Sequence, residues 1–328
     1  RMGHILRNGG NLGDVLDSFR GAIGVERAIY EGTRQAEAFA KEKLKNARFS
    51  QITHHDAHAA SAFFPSPFAE SSILTVDLIG EWDTTTFYLG KGNALSKIGA
   101  IQFPQSLGKF YQTFTKFLGF TPNSDEYKVM GLAAYGTDRF LPFFRGLCKP
   151  APVGRFKLDE RALLFCKGIR PEWDDKITSH TGNSRNKGEP ITQDHKDIAY
   201  AVQKVTEEIL LHMVSHLTKK TGKRDLCMAG GVALNALANQ KIRESGLVDH
   251  IFIQPASNDA GGAIGSALWQ YYADNPEGAR HEIDTCYLGP SYTKSEVLTA
   301  VSNSQFKTVD DKNYEHAINL LERGKIVG

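Results

Sequence analysis

The stretch ITHHDAHAASAFFPSPF, residues 52–68, places His54, His55, Asp56 and His58 within five positions at the head of a helical pattern. His54 and His58 are four apart, so on a helix their rings leave the same face with Cβ atoms about 5–6 Å apart and both imidazoles reach one cation. A carboxylate can join them. Asp77 ends the apolar run SSILTVD, at the end of a strand where α/β proteins handle ligands, and a turn with Gly80 and Glu81 follows at once. Asp259, after another strand and before Gly261 and Gly262, is a fourth candidate. Two neutral imidazoles with one or two carboxylates and open positions suit iron(II) or zinc better than calcium or magnesium, which prefer all-oxygen cages. The competing reading is a polar helix start whose histidines are merely hydrogen-bonded. His212 and His216 repeat the spacing on a later amphipathic helix but lack such company, and are expected to be structural.

A second constellation points to a nucleotide. AGGVALN, residues 229–235, joins a strand to a helix through Gly230 and Gly231, and the exposed N–H groups of a helix start favour a phosphate. Asn235 could donate to a ligand or merely cap the turn. SNDAGGAIG, residues 257–265, is another glycine-rich helix start at the same strand-end edge, so the two loops could enclose one ligand. The alternative is a pair of tight turns in which glycine only relieves packing. In DEYKVMGLAAYG, residues 125–136, Lys128 could meet phosphate oxygens or remain a solvated surface lysine.

The elements that would position these groups read as α/β. Residues 26–46 have the composition of a surface helix, and a second helix covers 54–64 until the prolines of PSP end it. The apolar strand 71–77, DTTTFYLG and ALSKIGAI form an antiparallel meander with a hairpin turn at GKGN. SLGKFYQTFTKFLGF carries aromatics at helical spacing and reads as a buried helix face. Residues 140–195 keep no period and read as a surface excursion. A long amphipathic helix over 196–220, strands at 225–229 and 250–256 and intervening helices give parallel α/β logic.

Bulk properties exclude several classes. The chain has 328 residues, 41% hydrophobic, and its 39 basic against 37 acidic side chains leave +2 with no dense basic block, so no nucleic-acid partner is expected. Cys148, Cys166, Cys227 and Cys286 show no CxxC spacing, which favours a reducing compartment. No apolar run of 18 residues or signal-peptide core is present, so neither a membrane span nor export is expected and the location reads as cytoplasmic. Both ends, RMGHILRNGG and LLERGKIVG, read as cut from a longer chain, the latter as a strand begins.

Taken together, HHDAHAASAFF, TVDLIGEWDTTTFY, SLGKFYQTFTKFLGF, EYKVMGLAAYG, LCMAGGVALNALAN and QPASNDAGGAIGSAL resemble, in order and over most of the chain, the nodulation-protein and antibiotic-type O-carbamoyltransferases. The resemblance implies actin/hexokinase/Hsp70-like (ribonuclease H-like) nucleotide-binding lobes, akin to the tRNA threonylcarbamoyladenosine synthase subunit. On this reading residues 1–70 are the remainder of a first lobe, 71–278 a second lobe and 279–328 the start of a carbamoyl-adenylating-type domain. It implies that carbamoyl phosphate and ATP give carbamoyl-adenylate, whose carbamoyl group passes to a hydroxyl of a sugar or natural product. It also implies iron(II), with zinc as the alternative, held by His54, His58, Asp77 and Asp259, and nucleotide contacts from Gly230, Gly231 and Asn235. Glu81 and Lys128 lie in motifs typical of that site, and His55 is a general-base candidate by proximity. Leu78 stands where the VDGxGE form has glycine, and the GHDA-like first strand and the arginine-containing carboxyl-terminal segment of such proteins are not found. The alternatives are a tRNA-modifying or hydrogenase-maturation relative, and a nucleotide-binding module whose metal only braces the fold.

Overall fold

A computed structural model describes residues 31–44, 48–167, 172–305 and 314–327. Residues 31–43 are helical, within the helix expected over 26–46, whose residues 26–30, 45 and 46 lie outside the described ones. The described strands are β1 (Glu70–Gly80), β2 (Asp83–Lys91), β3 (Ala94–Gln102), β4 (Cys148–Ala151), β5 (Arg155–Leu158), β6 (Asp225–Ala229) and β7 (His250–Ile253). Five of them form one sheet in the order β3-β2-β1-β6-β7, and β4 with β5 forms a separate hairpin. β1, β2 and β3 are the expected antiparallel meander, whereas β6 pairs parallel to β1 and β7 parallel to β6. The sheet is mixed, an antiparallel meander extended by two parallel strands, as the α/β reading expects.

Strand alternation assigns the two faces. Ile73 of β1 and Cys227 and Ala229 of β6 pack with Ala59, Ala60 and Phe63 of α1 (His54–Phe63) and with Tyr272. Their neighbours Leu74, Val76, Leu226 and Met228 enter the larger core on the other face. Because successive strand side chains alternate, Thr75 and Asp77 follow Ile73 toward α1. That parity turns Asp77 toward the histidines.

The larger core is built by α2 (Leu107–Phe117), α3 (Glu126–Ala133), α4 (Leu141–Leu147), α5 (Asp175–Thr181) and α6 (Gln193–Thr221). Phe110, Phe114 and Phe117 of α2 are fully buried, each contributing about 2–3 kcal/mol by leaving water. Ser106 caps α2, its hydroxyl accepting the Lys109 N–H at 2.9 Å. Gly222, left-handed at φ 70°, ends α6. Two further helices follow, α7 (Ala236–Glu244) and α8 (Gly262–Asp274). α1 is rich in alanine because α8 lies against it: a Cβ on Gly265 would sit 1.8 Å from the Ala57 carbonyl oxygen.

Three expectations change. Residues 140–195 are not a surface excursion, since Phe144, Leu147, Phe156, Leu158, Leu163 and Ile177 are buried in the main core. β1 continues past Asp77 through a register irregularity between Val76 and Gly80, while β7 stops at Ile253, before Pro255, which has no N–H for a ladder. The histidine helix, expected in a first lobe, belongs to the same compact unit as residues 71–278; that unit runs to Ile283.

The second unit, Asp284–Gly328, contains α9 (Lys294–Ser302), with Thr293 and Glu296 forming a reciprocal cap, and α10 (Glu315–Glu322). Residues 325–327, where a strand was expected to begin, carry none. Among the described residues no helix is long and apolar enough to cross a membrane.

Candidate active site

α1 is held at both ends of its first turn. Thr53 Oγ1 accepts the Asp56 N–H at 3.3 Å and donates to Asp56 Oδ2 at 2.6 Å, and Tyr88 of β2 donates to Asp56 Oδ1 at 2.5 Å. The carboxylate of Glu81 accepts the His54 N–H at 3.2 and 3.4 Å, placing negative charge at the helix N-terminus. Glu81 itself is left-handed at φ 42°. A Cβ on the preceding Gly80 would lie 2.5 Å from the His54 ring, so the turn that brings Glu81 to the helix needs glycine there.

With the helix so placed, His54, His58, Asp77 and Asp259 each offer one ligand atom, all within 4.8 Å of one another. His58 Nε2 lies 2.9 Å from Asp77 Oδ2 and 3.1 Å from His54 Nε2; His54 Nε2 lies 3.4 Å from Asp77 Oδ2. Asp259 Oδ1 is 3.6 Å from both imidazole nitrogens. Protons alone fit the triangle of His54, His58 and Asp77 poorly: if both rings donate to Asp77, two N–H groups oppose each other at 3.1 Å. Ligands ~2.1 Å from a shared ion are ~3.0 Å apart at a right angle and ~3.4 Å apart tetrahedrally, close to the 2.9–3.4 Å sides of the triangle, with Asp259 slightly wider at 3.6 Å. The donor set therefore fits a divalent cation. One usual feature is missing among the described residues: His58 Nδ1 is buried without the hydrogen-bond acceptor that commonly orients a ligating imidazole.

Asp77 is the best-supported of the four. Leu78 N–H donates to its Oδ1 at 2.6 Å and Gly231 N–H to its Oδ2 at 3.1 Å. Burial opposes its charge, but the adjacent His54 and His58 rings and the Leu78 N–H prevail and hold the carboxyl well below the usual range. The hydrogen bond with Asp77 raises His54 above the ordinary imidazole value against the effect of burial. Exposure divides the set, since the His58 side chain is 1% exposed and that of Asp259 81%.

His55, placed by sequence as a candidate general base, has a different role. Its Nε2 donates to the Asp83 carbonyl at 2.9 Å, which leaves Nδ1 to accept from Thr75 Oγ1 at 2.6 Å. Burial pushes the ring down to about 4, so it is neutral, and both nitrogens are occupied in fastening α1 to the sheet.

Two of the four, Asp77 and Asp259, line an open cleft of about 670 Å³. Leu78, Gly231, Asn235 and Asn258 line it with them. So do Gln112, Asn123, Glu126 and Tyr127, among which Gln112 donates to Asn123 Oδ1 and Glu126 accepts the Asn123 N–H at 2.9 Å. The glycine loop differs from the anion cradle expected. Gly230, at φ 94°, has its N–H bonded to the Ser257 carbonyl at 2.8 Å, and Gly231 N–H is engaged by Asp77. Residues 231–234 form a 3-10 turn and α7 begins only after Asn235, whose Oδ1 accepts the Ala238 N–H at 3.0 Å. Glu81, Lys128 and Gly230 are not cleft-lining, and Lys128 pairs with Asp125 at 2.9 Å on the surface. Leu78 takes its place on the cleft wall beside Asp77.

Several contributors carry no sequence signal of their own. Tyr111 and Gln112 line the cleft from the helix read as core, and Gln203 and Gly265 act through packing partners far away in the chain.

The carbamoyltransferase N-terminus family matches residues 17–268. An uncharacterized protein of Synechocystis sp. is 39% identical over 286 residues, which cover 84% of this chain and 46% of that protein. Nodulation protein NolNO of Sinorhizobium fredii is 35% identical over 301 residues, covering 89% of this chain and 42% of the relative. Nodulation protein NolO of Bradyrhizobium diazoefficiens is 32% identical over 286 residues, covering 84% and 49%. The chain spans about half the length of these curated relatives. With a match extending over most of its length, the chain belongs to the carbamoyltransferase N-terminus family.

Proposed function

We propose that the protein containing this chain is an O-carbamoyltransferase that moves a carbamoyl group from carbamoyl-adenylate, made from carbamoyl phosphate and ATP, to a hydroxyl of a sugar or natural product. His54, His58, Asp77 and Asp259 hold a divalent ion, iron(II) in preference to zinc, at the end of the cleft that receives the adenylate. The observation that carries this reading is the convergence of four ligand atoms within 4.8 Å from three separate parts of the chain, beside a cleft of nucleotide size.

A bound ion supplies Lewis acidity for the negative charge that grows on the carbamoyl oxygen as the hydroxyl attacks. The chain's own residues prepare that site. Leu78 and Gly231 N–H groups aim the Asp77 carboxylate, Glu81 fixes the start of the histidine helix, and His55 locks it to β1 and β2. Asn235 and the Gly231 surface face the nucleotide.

The test supplies pre-formed carbamoyl-adenylate and a panel of hydroxylated acceptors to the full-length protein, before and after metal removal. Transfer is expected to stop on chelation, return with iron(II), and be lost in folded His54→Ala. Transfer that persists while only the thermal midpoint falls makes the ion a structural brace and overturns the catalytic assignment.

A further inference from the structure

We infer that Gln203, a buried glutamine on α6, is a positioning residue that turns one N–H of Asn235 into the cleft, so the ligand atom facing Asn235 must be a hydrogen-bond acceptor. The inference rests on the nucleotide reading of the cleft and adds the chemistry of one contact. Gln203 and Asn235 form a reciprocal amide pair: Gln203 Nε2 donates to Asn235 Oδ1 at 3.0 Å and Asn235 Nδ2 donates to Gln203 Oε1 at 2.8 Å.

Amide orientations are fixed here by groups that can act in only one sense. The Ala238 backbone N–H can only donate, which assigns the atom 3.0 Å away as Asn235 Oδ1. The Glu207 carboxylate, itself 3.2 Å from Lys204 Nζ, accepts at 3.0 Å from Gln203, which assigns that atom as Nε2. Tyr111 O–H then donates to Gln203 Oε1 at 3.0 Å. Gln203 is left with no free hydrogen or lone pair, and it is 3% exposed. Asn235 Oδ1 has taken two donors, and its amide nitrogen has given one of two hydrogens to Gln203. What Asn235 can still offer the cleft is a single N–H. A ligand oxygen or unprotonated ring nitrogen satisfies it; an ammonium, which has no lone pair, does not.

The experiment measures binding of AMP, as the probe, to iron(II)-loaded full-length protein by calorimetry. Gln203→Leu frees the Asn235 side chain and is expected to weaken AMP about tenfold, the effect of one well-placed hydrogen bond, while iron(II) affinity holds in the folded variant. Asn235→Asp keeps the acceptor for Ala238 and Gln203 Nε2 but has no N–H to present, and is expected to lose tenfold or more even if Gln203→Leu does not fold. Unchanged AMP affinity in Asn235→Asp, or in folded Gln203→Leu, overturns the inference. Wild-type protein that binds iron(II) but no AMP instead removes the nucleotide reading, and this inference with it.

Discussion

His54/His58 and His212/His216 have the same spacing on helical backbone, yet they end in opposite environments. The first pair meets the end of the parallel ladder of β1 and the start of α8, which deliver Asp77 and Asp259. The second pair faces the β4–β5 hairpin: His212 Nε2 donates to the Ala151 carbonyl at 2.8 Å, and a Cβ on Gly154 would press 2.6 Å from the His216 ring. Burial lowers the His216 ring's affinity for a proton, and no ion pair involves either residue among the described ones. Helical spacing brings two imidazoles together; it is the carboxylates from other elements that make the first pair a candidate ligand set.

The strongest way to break this contrast is His58→Ala. Removing a buried donor from the cluster is expected to weaken iron(II) binding by more than ~10²-fold, beyond the usual loss for an outer-shell change. Anaerobic metal titration with circular dichroism as a folding control checks it. Next is Gly265→Ala, which touches no ligand. Its methyl group must push α8 from α1, separating Asp259 from the imidazoles, with a stability loss of ~1–3 kcal/mol and a drop in metal affinity readable in the same titration.

A third test uses His55, which neighbours the ligands without joining them. Its folded value is depressed to about 4 from 6.5, so between those values the unfolded chain takes a proton that the folded ring refuses. Its contribution to stability is complete above pH ~6.5 and is lost as pH falls toward ~4, up to roughly 3 kcal/mol. Denaturant titrations at a series of pH values should show that slope in wild type and a shallower one in His55→Leu. The smallest effect belongs to the control pair: His212→Ala is expected to leave metal affinity unchanged and to cost ~0.5–1.5 kcal/mol for one hydrogen bond.

Much of the candidate site's geometry was legible in sequence because the residues proposed as ligands sit at positions where local pattern and chemistry coincide. The shared face of His54 and His58 follows from helical period, Asp77 from the end of an apolar run, and Asp259 from a glycine-rich helix start. The meander of β1, β2 and β3 follows from alternating apolar runs and the GKGN turn. Residues 140–195 were harder, because short helices and the β4–β5 hairpin bury isolated side chains such as Phe156 and Ile177 without sustaining a period. The glycine loop was legible as a loop but not in its hydrogen bonding. Whether Gly231 N–H serves a phosphate or Asp77 depends on how β6 lies beside β1, which no local pattern encodes. Gly80, Gly265 and Gln203 share that limit, since each is dictated by a partner distant in the chain or in another element.

The most direct measurement is anomalous diffraction at the iron edge from crystals of the full-length protein grown anaerobically with iron(II). The account predicts a peak about 2.0–2.2 Å from His54 Nε2, His58 Nε2 and an Asp77 oxygen, with Asp259 completing the set. A fully loaded crystal with no peak among these residues, or with its only peak elsewhere on the chain, would contradict it.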